Sequence, residues 1–331
     1  MKRLAFLIIF AAFVWSGFWA VGFWGLNVGL DAWFKQRRAE GWVAEFDERS
    51  ILGYPSRFDI TFENLSLADP DTSVAWEAPF FQILALSYRP NHVIAVWPNN
   101  QTLATPTEKL TLRTKDMRAS LVLLSDTNLS LDRTNLSIQN LALNSTAGWQ
   151  LTAQNLDLAL HSVPDTAATY RVGLNTKELA PNVAFRMPAD VNLPRTFSAL
   201  NARLTAKFDR PLDRTTIEES RPQPTALDLE LAEITWGELH LNAAGQVTLD
   251  KLGYPTGAIT IRAVNWREIL NIARASGQFS SDVLNTVESA LDLISKLSGN
   301  SNELDLPLTF ENNTTRLGPV PIAPAPRIRL R

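Results

Sequence analysis

No cysteine occurs in the 331-residue chain, which removes thiol nucleophiles, thiolate metal ligands and disulfides together. Histidine is nearly as scarce. His92, His161 and His240 lie far apart, and none stands in an H-x-x-x-H or H-E-x-x-H setting. An excess of charge of one sign is missing too. The 31 basic and 34 acidic residues leave a formal net charge of −3, and no basic stripe interleaves with aromatics. That excludes the usual footprint of a nucleic-acid partner. No Walker loop, dinucleotide-binding glycine fingerprint, G-x-S-x-G elbow or EF-hand loop is present. The carboxylate pair Asp69 and Asp71 sits in a loop-like stretch and reads as solvated charge. No catalytic residue, metal ligand set or cofactor motif emerges, and the chain is expected to be non-enzymatic.

What the chain has instead is an apolar beginning. Leu4 to Leu30, "LAFLIIFAAFVWSGFWAVGFWGLNVGL", carries no charge. As a helix it extends about 40 Å, more than the ~30 Å of a hydrocarbon core. Trp15, Trp19, Trp24 and Trp33 crowd its second half, as an interfacial aromatic belt requires. A cleaved signal peptide competes with a retained anchor. The run is about twice the usual apolar length of such peptides, and its one small-x-small site, Ala20-Val21-Gly22, sits among bulky aromatics. Residues 1–30 are therefore expected to be a transmembrane anchor. Lys35, Arg37 and Arg38 outnumber Lys2 and Arg3, against a simple positive-inside count. Long C-terminal domains translocate largely regardless of charge, so the N-terminus is placed in the cytoplasm and the body outside the membrane. Residues 31–52 keep a helical pattern, with Trp33, Phe34, Trp42, Phe46 and Ile51 forming a broken apolar stripe. This juxtamembrane helix suits either the headgroup layer or the face of a β body.

From residue 53 the pattern changes to short alternating runs such as "LNARLTAKFD" (200–209) and "ALDLELAEI" (226–234). Apolar residues at i, i+2 and i+4 mark strands buried on one face. No helical pattern separates successive strands, which favours an antiparallel meander over βαβ units. The fold expected is mainly β, a large curved antiparallel sheet spanning 53–331. The polar, proline-containing stretch 209–226 is a candidate loop or boundary between sub-lobes. An amphipathic helix is expected over about 266–298, divided at Gly277, stopped by Gly299-Asn300 and packed on the sheet. A hairpin turning at Asn312-Asn313 and a proline-rich tail fill 300–331.

A finer feature repeats. Phe62-Glu63-Asn64-Leu65, Ile138-Gln139-Asn140-Leu141 and Ala153-Gln154-Asn155-Leu156 share apolar–Glu/Gln–Asn–Leu. The apolar spacing there is three, where a clean strand has two, so the dipeptide flips the buried face unless the backbone corrects it. Asn64, Asn140 and Asn155 are the expected sites of β-bulges that bend the sheet, tight turns being the alternative. Trp76, Phe80, Phe81, Tyr88 and Trp97 are candidates for lining an apolar groove, against plain core packing.

Several blocks together carry a resemblance: the apolar start, "GYPSRFDITFENLSL" (53–67), "WEAPFFQILALSYRPNHVIAVWP" (76–98), "AAGQVTLDKLGYPTGAITIRAVNW" (243–266) and "RLGPVPIAPAP" (316–326). In this order the chain resembles a bacterial, mainly alphaproteobacterial, family known as domain of unknown function 2125. More distantly, the anchor and repeated "NL-x-L" strands look like AsmA-like proteins. That second likeness implies an inner-membrane protein with a periplasmic β-rich body, linked to envelope maintenance and lipid transfer. The expected partners are accordingly the membrane, lipid, and other envelope proteins. The expected activity is binding of lipid or acyl chains on an apolar sheet face. Assembly of envelope proteins through sheet edges is the alternative, and an envelope hydrolase is the least supported.

Overall fold

The computed structural model describes residues 1–166, 168–182, 196–218, 221–276, 280–297, 302–317 and 320–330. Helix α1 (Lys2–Ala39) opens the chain. Two short strands, β1 (Val43–Glu45) and β2 (Glu48–Leu52), lie end to end along β3 (Arg57–Asp69), which pairs with β4 (Val74–Leu86). Beyond β4 the sheet divides into two tracks. One consists of β5 (Arg89–Val96) and β8 (Asp116–Leu123), the other of β6 (Asn100–Ala104) and β7 (Lys109–Arg113). Both tracks close onto β9 (Leu131–Ser145). A plain meander follows: β10 (Gln150–Ser162), β11 (Thr169–Asn182), β12 (Phe197–Phe208), β13 (Pro224–Trp236), β14 (Leu239–Leu249), β15 (Pro255–Val264), β16 (Glu303–Glu311), β17 (Thr314–Leu317) and β18 (Val320–Pro324). A one-turn helix α2 (Thr215–Glu218) precedes β13, and α3 (Arg267–Ser276) with α4 (Ser281–Leu297) sits between β15 and β16. Among the described residues all strands join one eighteen-stranded sheet, antiparallel throughout.

The expected helix over 31–52 ends early. At Gly41, φ +86°, the Gly41 N–H donates to Arg38 O and the Trp42 N–H to Arg37 O. This left-handed glycine cap satisfies the last helical carbonyls and stops α1 at Ala39. Ala44 and Ile51 then point inward as strand residues opposite Leu67 and Ile60 of β3. Within the stretch 209–226, α2 occupies Thr215–Glu218 and residues 224–226 already belong to β13, which pairs with β12, so the sheet passes the connection without a break. The helical segment after Trp266 is two helices. Gly277 and Gly299-Asn300, expected to divide and end it, lie outside the described residues. The hairpin at Asn312-Asn313 is present, both residues at positive φ.

The three repeated dipeptides do keep one face buried. Phe62 and Leu65 are both buried while Glu63 and Asn64 are exposed, and Ile138 and Leu141 repeat this around Gln139 and Asn140. The backbone correction is not a one-residue bulge. Asn64 and Asn140 take φ +50°, but pairing resumes beyond each in the same register, as Glu63 opposite Phe80 and Leu65 opposite Ala78 show. Asn155 is not left-handed. Gln154 lies between Asn140 on β9 and Glu178 on β11, and Glu178 takes φ +51° instead. Flanking strands therefore supply the left-handed residue on both sides of the third copy. The same line runs back through Lys115, between the tracks, and through Pro79 opposite Asn64. True register shifts occur elsewhere, between Leu229 and Ala232 for example.

Turns and connections at 53–56, 87–88, 124–130, 163–166, 209–218, 221–223, 250–254 and 312–313 share one edge of the sheet, here called the near rim. Turns at 70–73, 105–108, 146–149 and 237–238, with α3 and α4, form the far rim. From Trp15 onward α1 lies along β3 from near rim to far. Trp15 Nε1 donates to Pro55 O and Arg38 Nε to Ala44 O. Residues 1–14 project past the near rim.

Candidate functional site

Because opposed residues of an antiparallel pair share a face, the register assigns every side chain to one of two surfaces. One row is apolar at every position from β2 to β16. It runs Ile51, Ile60, Ile83, Ala95, Ala119, Leu136, then Leu158, Leu174, Ala202, Ala232, Ala243, Ile261 and Leu306. A second row, on the near-rim side, adds Leu160, Val172, Leu204, Leu229 and Ile259. The adjoining row on the other face is almost wholly polar from Ser50 and Thr61 to Arg262 and Asp305. Alternation that looked local in sequence is therefore a two-sided sheet.

Among the described residues, helices cover the apolar face only at its ends. At the first strands α1 buries Phe58, Ile60, Phe62 and Leu65, with Phe34 of α1 against Phe46 and Phe62. Trp19 stacks on Phe58, and its indole N–H donates to Arg57 O at 2.9 Å. At the other end Trp266, Leu270 of α3 and Leu284 of α4 close over Ala263 and Leu304 near the far rim. Ion pairs from Arg267 to Asp292 and from Arg274 to Glu288 clasp α3 to α4. Between these covers the row from Ala95 to Ile261 is only half-buried, and Leu158 is 38% exposed. An apolar strip this continuous and only half covered is a candidate interaction surface.

The aromatic candidates divide. Trp76, Phe81 and Trp97 meet on the apolar face, with Phe81 centred 5.3 Å from each of the other two rings. Trp76 Nε1 donates to the buried Gln101 Oε1 at 2.7 Å, and Trp76 and Phe81 pack against the core under α1. They wall the α1 end of the open strip. Phe80 is paired with Glu63 on the opposite face, and Tyr88 is exposed in a near-rim turn. The strip's own residues, Leu174, Ala202 and Ala232 among them, were missed. Their alternation was visible, but nothing in one strand states which residue of the next strand it opposes.

The polar face holds an open depression of about 660 Å³. Ser137, Asp157, Asn201 and Glu233 flank it, over a floor lowered by Gly173 and Ala159. Its walls are occupied with one another: Ser137 Oγ donates to Asp157 at 2.6 Å, and Asn201 Nδ2 to Glu233 at 3.4 Å. The histidines are similarly engaged with neighbouring strands, His92 with Ser120 and His161 with Asn135. Among the described residues no group of three or more His, Asp or Glu side chains is placed to hold a metal ion.

An apolar N-terminal helix docked on a wide antiparallel sheet is thus the frame, and the comparisons agree with the sequence blocks. The chain matches the family described as "Uncharacterized protein conserved in bacteria (DUF2125)" over residues 19–326. The chain belongs to this family. No curated protein and no solved structure matches it. The likeness to AsmA-like proteins remains one of strand pattern. In this DUF2125 member α1 is the one helix among the described residues long and apolar enough to cross a membrane, which is consistent with membrane anchoring.

Proposed function

We propose that this protein is a non-enzymatic, membrane-anchored lipid-binding module of the bacterial envelope. On this reading the N-terminus is cytoplasmic, the sheet stands in the periplasm of an inner-membrane protein, and acyl chains lie on the apolar strip between α1 and the α3–α4 pair. The observation that carries it is the unbroken apolar row from Ile51 to Leu306, open from Ala95 to Ile261. Each methylene withdrawn from water onto such a surface contributes about 0.8 kcal/mol. A chain of a dozen methylenes therefore binds without any directional contact. The small side chains of Ala202, Ala232 and Ala243 leave room for it.

The docking of α1 supports an anchor over a cleaved leader. Removing the helix would uncover Phe58, Ile60, Phe62 and Leu65, all at 5% exposure or less. Mass spectrometry of the full-length protein extracted in mild detergent tests the reading. Phospholipid or fatty acid should copurify, and Ala202→Trp with Ala232→Trp should reduce it severalfold without changing α1 insertion. Lipid-free wild-type protein, or lipid unaffected by those substitutions, would turn the reading toward an assembly factor.

A further inference from the structure

The length of α1 left free by the sheet is too short for a bilayer. Docking begins at Trp15, whose Nε1 donates to Pro55 O at 2.9 Å, and continues at Ser16, which shares a 2.7 Å hydrogen bond with Tyr54 Oη. Between the charged pair Lys2-Arg3 and Trp15, the apolar helix that projects past the near rim is Leu4–Val14, about 17 Å at ~1.5 Å per residue. A hydrocarbon core of about 30 Å exceeds this by more than about 10 Å, which is more than the headgroup layer on one side. The helix itself continues to suit lipid above that point. Val21, Trp24 and Val28 face away from the sheet, are exposed, and precede Asp31, the first charge after Arg3. Lipid that rises along this outer face must bring the near rim with it.

The near rim has the surface such seating needs. Leu52, Tyr54, Tyr88, Leu124, Leu129 and Leu252 are exposed there, Leu52 at 66% and Leu252 at 55%. The far-rim turns at 70–73, 105–108, 146–149 and 237–238 carry no exposed large apolar side chain. The near rim also bears Arg57, Arg89, Lys251, Arg327 and Arg329. Four of its acids accept hydrogen bonds from turn amides, Asp126 from Asn128 and Ser130, Asp209 from Gln223, Asp213 from Thr215, and Asp250 from Leu252 and Tyr254, while Asp165 is exposed. Those bonds satisfy backbone donors that a water-poor layer would leave unpaired. The C-terminal residues form a strap along the same rim. Ile328 N–H donates to Gly253 O, and Gln223 exchanges hydrogen bonds with Leu330.

We infer that the near rim is a membrane-seating surface whose turns enter the headgroup layer of the leaflet into which α1 is anchored. The inference rests on α1 being retained as an anchor. Its partner is bilayer lipid, and it holds whether or not the apolar strip binds an acyl chain. The absence of cysteine permits a direct test with full-length protein in lipid nanodiscs. Single variants Leu129→Cys and Leu252→Cys on the near rim, Thr72→Cys and Ala147→Cys on the far rim, and Phe10→Cys in the anchor would each carry an environment-sensitive fluorophore. Nitroxide lipids labelled at headgroup depth are then added. Quenching at Leu129 and Leu252 should exceed that at Thr72 and Ala147 at least twofold, with Phe10 quenched best by chain-labelled lipid. Equal quenching at the two rims beside a quenched Phe10 overturns the seating and leaves the anchor standing. An unquenched Phe10 overturns both.

Discussion

Gly22 of α1 sits against the ring of Phe58 in β3 so closely that a methyl group built on Gly22 would lie 2.6 Å from Phe58 Cζ. The helix thus rests on the sheet where it lacks a side chain, between the Trp19–Phe58 stack and the buried Phe34. Gly22→Leu keeps the segment apolar and insertable but overpacks this contact, a change that costs about 1–3 kcal/mol. Hydrogen exchange should accelerate in β2 and β3 while membrane extraction stays unchanged. Unaltered exchange would show that the contact does not hold the helix.

The three-residue spacing across Glu63-Asn64 makes a prediction of its own. Phe62→Ala and Leu65→Ala should each destabilise the body by about 2–5 kcal/mol, because both side chains are buried in the core under α1. Glu63→Ala, exposed between them, should stay within about 0.5 kcal/mol. Thermal unfolding in detergent separates the cases, and a costly Glu63→Ala would mean that the buried face is misassigned.

Left-handed backbone at Asn140 predicts a different ranking. Asn140→Gly should be close to neutral, whereas Asn140→Val forces a β-branched residue to φ +50° and should cost about 1–2 kcal/mol. Asn155, which is not left-handed, should tolerate valine better. Equal sensitivity at the two positions would contradict the alternation between β9 and β11.

Gly253 ties the strap to the sheet. A Cβ at this residue would lie 2.5 Å from Ile328 O, and its φ of +86° already disfavours a side chain. Gly253→Ala should release residues 325–330, seen as faster exchange at Ile328 and easier proteolysis of the C-terminus. A strap as protected as in the wild type would refute the role given to Gly253.

These relationships show which parts of the fold can be read from sequence. Leu4–Leu30 announces its helix because no charge interrupts it, and "LNARLTAKFD" announces a strand because period two is a local property. Asn312-Asn313 likewise carries its own turn chemistry. The end of α1 was missed because Trp42 and Phe46 extend a helical spacing, while the Gly41 cap depends on backbone bonds to Arg37 and Arg38. Asn155 misled because its neighbours across the sheet, not its own tripeptide, decide which strand turns left-handed. The apolar strip was least legible of all. Leu158, Leu174 and Ala202 become one surface only through registers between three strands, and sequence spacing does not encode them.

The most direct measurement compares two neighbours in β12. Asn201 and Ala202 are consecutive, yet their side chains stand on opposite faces, Asn201 in the polar row and Ala202 in the apolar strip. A photocrosslinking residue placed at each position in turn, irradiated in intact cells and analysed by mass spectrometry, reports what touches each face. Lipid adducts should form at position 202 and not at 201. Adducts equal at both positions, or absent at 202 while protein crosslinks form there, would contradict acyl-chain binding on the strip.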